Sequence, residues 1–179
     1  MSGPETRELR ERKIEDYGHL SDIGHVYEIP DTYIGGTVPI TQNVLVFRNN
    51  KFVEDTTKLP EGVQRLFLEI LSNAGDNTYA SREAGISPGE IHVEMNDHLI
   101  KITNGGKHIE LKKIRLVEKG RDFDVIETTE DDPEGIWLPE LIFGTLRSSN
   151  NYKKDQARMG CGRNGYGAKL VAIFGLLFV

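Results

Sequence analysis

The stretch GCGRNGYGAKL, residues 160–170, combines closely spaced glycines with a lysine and could bind phosphate. Glycines allow a backbone whose N–H groups converge on an anion, and a helix that starts just after them presents its positive end to the same anion. Lys169 could neutralise phosphate charge from within that helix. The alternative is that the glycines only make a flexible turn, and the loop by itself does not separate the two interpretations.

Two known phosphate-binding motifs come close to this loop, and neither fits. Gly160, Gly162 and Gly165 have the spacing of the dinucleotide fingerprint, but that motif follows a buried strand, and YKKDQARM precedes it here. The P-loop pattern fails because Ala168 stands before Lys169, and Leu170 replaces the hydroxyl that binds the metal. Evidence for a nucleotide site must therefore come from elsewhere in the chain.

Residues 60–83 carry the strongest helical pattern, with proline at the start and glutamate in the first turn. Apolar residues at helical spacing form one stripe that is predicted to face a sheet: Val63, Leu66, Phe67, Ile70, Leu71 and Ala74. A second stripe lies beside it: Glu69, Asn73, Asp76 and Asn77. A carboxylate can act as general base on water, and an amide oxygen can complete the shell of a magnesium ion. An ordinary amphipathic helix is the alternative.

The remaining pattern predicts the elements that would position these groups. Hairpins are expected at 43–55, turning at Asn49–Asn50, and at 90–104, turning at Asn96–Asp97. Asn104 ends a strand before two glycines, where its amide could read a flat base edge. Further helices are expected near 109–119, at 138–149 and at 166–174, and the acidic run 127–132 is expected to be a solvated loop. We predict an α+β fold, a two-layer sandwich with one mixed, mostly antiparallel sheet covered by helices.

Composition bounds the class of protein. The chain has 179 residues, 37% hydrophobic and 28% charged, which is typical of a globular domain. A net charge of -6 argues against a large nucleic-acid surface within it. Cys161 is the sole cysteine, so an internal disulfide is excluded and a reducing, intracellular compartment is favoured. The longest apolar run ends the chain and is too short to span a bilayer. We expect a fragment whose fold is incomplete at its C-terminus.

Four segments, PDTYIGG, EILSNAGDN, LPELIFGTLRSSNNY and GRNGYGAKL, occur in the order found in one family. From about Ile14 to Phe174 the chain resembles the N-terminal ATPase region of eukaryotic-type type IIA DNA topoisomerases. That region has the Bergerat (GHKL) ATP-binding fold, which gyrase, Hsp90, MutL and histidine kinases share. The resemblance implies a dimer-exchange arm at 1–24 and a partial ATPase domain at 25–179, with a lid at 145–168. Other GHKL ATPases of the MutL or Hsp90 type, and a truncated, non-catalytic interaction module, are the alternatives.

The resemblance also implies partners, cofactors and roles. It implies ATP and Mg²⁺ as cofactors, a homodimer formed through the N-gate, double-stranded DNA bound by the whole enzyme, a nuclear location in a eukaryote, and no membrane. Glu69 would be the general base, and Asn73 would hold magnesium and, through it, the phosphates. The other implied nucleotide contacts are Asp76, Asn77, Asn104, Ser149, Asn150, Asn151, Arg163, Asn164, Gly165, Tyr166, Gly167, Ala168 and Lys169, with Tyr17 reaching the partner's nucleotide.

Three departures from the family pattern stand out. Asn150 replaces a serine, Cys161 interrupts a pair of glycines, and the segment 110–135 is longer than expected, an insertion near the lid. The family completes ATP hydrolysis with a lysine from a following transducer domain and cuts DNA with residues further on. The chain alone is therefore expected to hydrolyse ATP weakly or not at all.

Overall fold

The structure, a computed structural model, describes residues 18–149 and 165–178. Its helices in these ranges are α1 (Asp22–Glu28), α2 (Asp31–Ile34), α3 (Glu61–Glu83), α4 (Leu138–Gly144) and α5 (Gly167–Phe174). Its strands are β1 (Ile40–Arg48), β2 (Lys51–Leu59), β3 (Ile91–Met95), β4 (Ile100–Asn104), β5 (Lys113–Lys119), β6 (Asp122–Glu127) and β7 (Ile136–Trp137).

The strands pair only with antiparallel neighbours in the described part of the chain. They form three separate sheets, with strand orders β1-β2, β3-β4 and β6-β5-β7. The predicted α+β class is confirmed, and so are both predicted hairpins. The single expected sheet is instead divided, because each described strand pairs with its neighbour in the chain, and only β7 adds a pairing from further along, to β5.

The β1–β2 hairpin turns where the sequence predicts. Asn49 and Asn50 have φ angles of 51° and 58°, so both central residues lie in the left-handed region. Such a turn matches the right-handed twist of the flanking strands, and asparagine tolerates it better than most residues. Phe47 and Phe52 pair across the strands beside this turn, and their rings lie 5.2 Å apart.

The buried core beside α3 is made by helices from the two ends of the described chain. Val26 of α1, Ile34 at the end of α2 and Leu170 of α5 form the buried cluster, and Leu66 of α3 packs against it. The predicted apolar stripe of α3 therefore faces helices here, whereas Val63, expected in that stripe, is 44% exposed. Ala74 further along α3 is buried, and this part of the helix packs near β4.

The segment predicted as a helix at 109–119 is a strand. Residues 113–119 form β5, which pairs with β6 through a turn at Gly120, whose φ is 66°. Only the first four residues of KIRLVEK alternate polar and apolar side chains, so the pairing with β6 and β7 decides the structure, and the helical interpretation was wrong. The insertion noted in the sequence is thus largely this β5–β6 hairpin.

The acidic run 127–132 is also not entirely a solvated loop. Asp132 is buried, with its carboxylate bound by Arg115 of β5 and by the Thr128 hydroxyl. The backbone N–H of Glu134 donates to the same carboxylate at 3.0 Å. A buried carboxylate with this set of donors ties the loop after β6 back onto β5.

Candidate functional site

The polar stripe of α3 forms the floor of the candidate site. Glu69, Asp76 and Asn77 are half-buried and Asn73 is exposed. Eight residues separate Glu69 from Asn77, which corresponds to about 12 Å along a helix. A different glycine-containing segment contacts each end of this stripe.

The first of these contacts is between Glu69 and Gly167. The Nε of Arg65, one turn earlier in α3, donates to Glu69 Oε1 at 2.8 Å. The other carboxylate oxygen faces Gly167, where an added Cβ would overlap Oε2 and lie only 3.1 Å from Cδ. Gly167 is therefore required by close approach to the Glu69 side chain.

Gly167 is also the first residue of α5. The preceding Gly165 has φ 68°, and Tyr166 at the N-cap provides no side-chain cap to the helix. The first turn of α5 contains no acidic residue. The positive end of the α5 dipole thus lies at the Glu69 end of the stripe, which is the polarity that an anion requires.

Lys169 is buried in the first turn of α5. Its Nζ donates to the carbonyl oxygen of Ser148 at 2.8 Å, and desolvation by burial lowers the pKa of its ammonium group. The Ser148 hydroxyl in turn hydrogen-bonds the carbonyls of Leu141 and Thr145 at 2.7 and 2.8 Å. In this structure Lys169 ties α5 to the turn that follows α4.

Arg147 is a residue of this region that sequence reasoning missed. It has φ 62°, and its Nη2 pairs with Asp22 Oδ1 at 2.7 Å while its Nε contacts the Tyr166 hydroxyl at 3.4 Å. The Tyr166 hydrogen bond and the Asp22 charge raise its pKa. Nothing in the local sequence signals this role, because its partners lie at distant positions of the chain.

The opposite end of the stripe meets the turn after β4. The side-chain amides of Asn77 and Asn104 both donate to the carbonyl oxygen of Gly105, at 3.2 and 2.9 Å. Gly106 follows with φ 102°. The two asparagines that the sequence assigned to one pocket therefore converge on one backbone atom.

The structure brings together most of the predicted residues that it describes. Glu69, Gly167 and Lys169 lie at one end, Asn77 and Asn104 at the other, and Asn73 and Asp76 between them on α3. Ser149 is half-buried beside Ser148. The residues outside the described ranges are Tyr17, Asn150, Asn151, Arg163 and Asn164.

Metal-binding and membrane-spanning features were sought over the same ranges. Among residues 18–149 and 165–178, no three His, Cys, Asp or Glu side chains gather as a metal centre would require. None of the helices described above combines the length and the apolar character needed to cross a bilayer.

Comparison with solved structures defines the class of protein. The ATPase region of Saccharomyces cerevisiae topoisomerase II bound to ICRF-187 superposes with a TM-score of 0.69 at 32% identity, covering 89% of this chain and 38% of that chain. The ATPase and transducer domains of topoisomerase II from Balamuthia mandrillaris give the same TM-score at 30% identity, covering 92% of this chain and 37% of that chain. The fold is that of a topoisomerase II ATPase region.

Curated relatives agree with this class. DNA topoisomerase 2 of Arabidopsis thaliana is 33% identical over 165 residues, 92% of this chain and 10% of that protein. DNA topoisomerase 2-alpha of Gallus gallus is 34% identical over 164 residues, 90% of this chain and 9% of that protein. No protein-family model matches the chain. The chain is a relative of DNA topoisomerase 2 and corresponds to part of its ATPase region, spanning about a tenth of the length of these relatives.

Proposed function

We propose that this chain binds ATP with Mg²⁺ along α3, between the start of α5 and the Gly105–Gly106 turn. The contact of Gly167 with the Glu69 carboxylate carries the proposal. It sets the uncapped end of α5 directly over the polar stripe, where phosphate oxygens could accept hydrogen bonds from backbone N–H groups. Homology to topoisomerase II ATPase regions supports ATP as the nucleotide.

At the α5 end, phosphate binding would involve Lys169. Among the described residues, the hydrogen-bond partner of its ammonium group is a neutral carbonyl, that of Ser148. A phosphate oxygen is a stronger acceptor for an ammonium group than a carbonyl is, because the hydrogen bond is charge-assisted on both sides. We therefore expect Lys169 to exchange Ser148 for phosphate. The other proposed contacts here are Ser149, Asn150, Asn151, Arg163, Asn164, Gly165, Tyr166, Gly167 and Ala168.

At the other end, the adenine ring would lie near Asn104, Asn77 and Asp76. Both asparagine amides already converge on the Gly105 carbonyl, so their oxygen atoms and second N–H groups are oriented by the same turn. An amide offers both a donor and an acceptor, which suits the edge of a base. Asp76 lies one residue earlier on the same face of α3 and would contact the ring from the helix.

Metal binding and hydrolysis would take place in the middle of the stripe. The exposed amide oxygen of Asn73 suits Mg²⁺, which keeps several waters and takes few protein ligands when phosphates complete its shell. Bound magnesium would neutralise phosphate charge. Glu69 would accept a proton from the attacking water, with Arg65 holding one of its oxygens and leaving the other beside Gly167.

In the whole protein, this region would act as an ATP-operated gate. Tyr17 would reach the nucleotide of a second subunit, so that ATP favours the closed homodimer because both subunits contact it only in that state. Closure of this N-gate would drive the passage of one DNA duplex through another, in the nucleus of a eukaryotic cell. The chain's relation to DNA topoisomerase 2 supports this proposal.

Calorimetric titration of ATP into the chain, with Mg²⁺ and again with a chelator, tests the proposal. The wild-type protein should bind ATP more tightly with Mg²⁺, and Asn73→Ala should lose that gain while retaining metal-free binding. Asn43→Ala changes an exposed asparagine of the β1–β2 hairpin and should behave as wild type. Absence of ATP binding by the wild-type protein would overturn the proposed function.

A second measurement separates a gate from an interaction module. Sedimentation of the chain with a non-hydrolysable ATP analogue should show a dimer that is absent without nucleotide. Nucleotide binding with an unchanged monomer would favour a non-catalytic module.

A further inference from the structure

Ser81, near the end of α3, is a hydroxyl residue with none of its surface exposed. Its Oγ donates to the carbonyl oxygen of Asn77 at 2.6 Å and accepts the backbone N–H of Lys107 at 2.8 Å. The first bond stays within α3, whereas the second reaches the turn after β4. One buried side-chain oxygen therefore joins the helix to the turn.

The turn lies in close contact with Ser81. A Cβ added to Gly106 would overlap Ser81 Oγ, lie 3.1 Å from Ser81 Cβ and lie 3.4 Å from Pro88 Cα. On the other side, a Cβ on Gly105 would lie 2.8 Å from the carbonyl oxygen of Pro88. The turn is thus held between Ser81 and Pro88, and its two glycines are required by these close approaches.

The same turn sets the two asparagines of the candidate site. Asn77 and Asn104 both donate to the Gly105 carbonyl, which belongs to the residue before Gly106. Any displacement of the turn moves this shared acceptor and with it both amides. Ser81 also donates a hydrogen bond to the backbone carbonyl of Asn77 itself. It therefore contacts both the turn that holds the two amides and the residue that carries one of them.

We propose that Ser81 is a positioning residue for the nucleoside end of the site. That the ligand is a nucleotide rests on the proposed function. Ser81 is fully buried and acts through the protein. It fixes the Gly105–Gly106 turn on α3, and the turn orients Asn77 and Asn104. The phosphate end, which Gly167 and Lys169 form some three helical turns away, does not depend on it.

Binding of three probes, adenosine, ATP and tripolyphosphate, tests this proposal. Ser81→Ala should weaken adenosine and ATP binding about fivefold, the effect of one hydrogen bond, and leave tripolyphosphate binding unchanged. A simple loss of folded protein would instead lower the apparent affinity for every probe by the same factor. Thr78→Ala is the matched control, because the Thr78 hydroxyl also donates to a backbone carbonyl one turn back on the same helix, that of Ala74 at 3.0 Å.

Two further measurements keep the outcome decisive. Amide hydrogen exchange at Lys107 should accelerate in Ser81→Ala and not in Thr78→Ala. Gly106→Ala, which displaces the turn from the opposite side, should reproduce the selective loss of adenosine binding if Ser81→Ala does not fold. Wild-type affinity for adenosine in Ser81→Ala would overturn the role of Ser81 alone. A wild-type protein that binds none of the probes would overturn the proposed function as well.

Discussion

The carboxylate of Glu69 lies against the α-carbon of Gly167, in a space that a methyl group would fill. This contact fixes how α5 sits on α3, because Arg65 holds the other carboxylate oxygen at 2.8 Å. The residue proposed as general base and the first residue of the phosphate-binding helix are therefore neighbours before any ligand binds.

Gly167→Ala should destabilise the protein by about 1–3 kcal/mol, the usual effect of overpacking, and should weaken ATP binding because α5 must move. Gly75→Ala in α3 is the control, since among the described residues no atom beyond the local helix backbone lies within 4 Å of the added methyl group. It should instead stabilise by about 0.5–1 kcal/mol. Urea unfolding and ATP titration measure both effects. Equal stability of the two variants would contradict the close contact.

Lys169→Ala should weaken the binding of ATP and tripolyphosphate much more than that of adenosine. The ammonium group is expected to leave the Ser148 carbonyl for a phosphate oxygen, and adenosine has none. Titration of the three ligands into both proteins measures the difference. Proportionate losses for adenosine and tripolyphosphate would mean that Lys169 only maintains the structure.

Lys169→Met should change how stability depends on pH. Burial lowers the pKa of the Lys169 ammonium below its ordinary value of 10.5. Between the folded and the unfolded pKa the unfolded chain binds more protons, so the stability of the wild-type protein rises with pH across that window. The free energy of unfolding of wild type relative to Lys169→Met should therefore increase as the pH approaches 10.5 from below. A difference in the free energy of unfolding that does not change with pH would contradict the burial of the Lys169 ammonium group.

Asp132→Asn should lower the free energy of unfolding, and this loss should be smaller at acid pH than at neutral pH. The Arg115 guanidinium, followed by the Thr128 hydroxyl, holds the pKa of the Asp132 carboxyl well below its usual range. A depressed pKa contributes stability that is present above the ordinary value of 3.8 and is lost as the pH falls below it. The stability difference between wild type and Asp132→Asn, from urea unfolding at several pH values, should shrink in acid. A difference that grows in acid would contradict this assignment.

Asn50→Gly should stabilise the β1–β2 hairpin, because its φ of 58° suits glycine and the two-residue turn prefers Asn-Gly. Asn50→Val should destabilise, since a β-branched residue at this φ is strained. Thermal unfolding of both variants checks the sign. Destabilisation by glycine would exclude the left-handed turn.

Local periodicity predicts most of the fold and the floor of the site. The spacing of Glu69, Asn73, Asp76 and Asn77 requires only that 60–83 be helical, and the turns at Asn49–Asn50 and Asn96–Asp97 require only local backbone preferences. The prediction of a helix at 109–119 was wrong, because a short segment of charged and apolar residues fits both the helical period and the strand period. There the pairing of β5 with β6 and β7 decides the structure.

Contacts between distant residues were beyond prediction for a different reason. The hydrogen bond from Lys169 to the Ser148 carbonyl and the burial of Asp132 under Arg115 depend on how separate elements pack. Local sequence patterns contain no information about how separate elements pack against one another. The lysine was expected to serve a ligand alone, and the aspartate was expected to be solvated, because in each case the competing protein partner lies elsewhere in the chain.

The core under the phosphate end has a consequence for how the protein folds. The Tyr27 hydroxyl bonds the Ile173 carbonyl across 146 positions of sequence, and Arg147 pairs with Asp22 across 125. Val26 packs with Leu170 in the buried cluster. Closing loops of this length precedes any gain from the contacts, which slows folding. During synthesis the first helices must therefore wait for α5, and the hairpins and α3 can assemble before the phosphate end of the site exists.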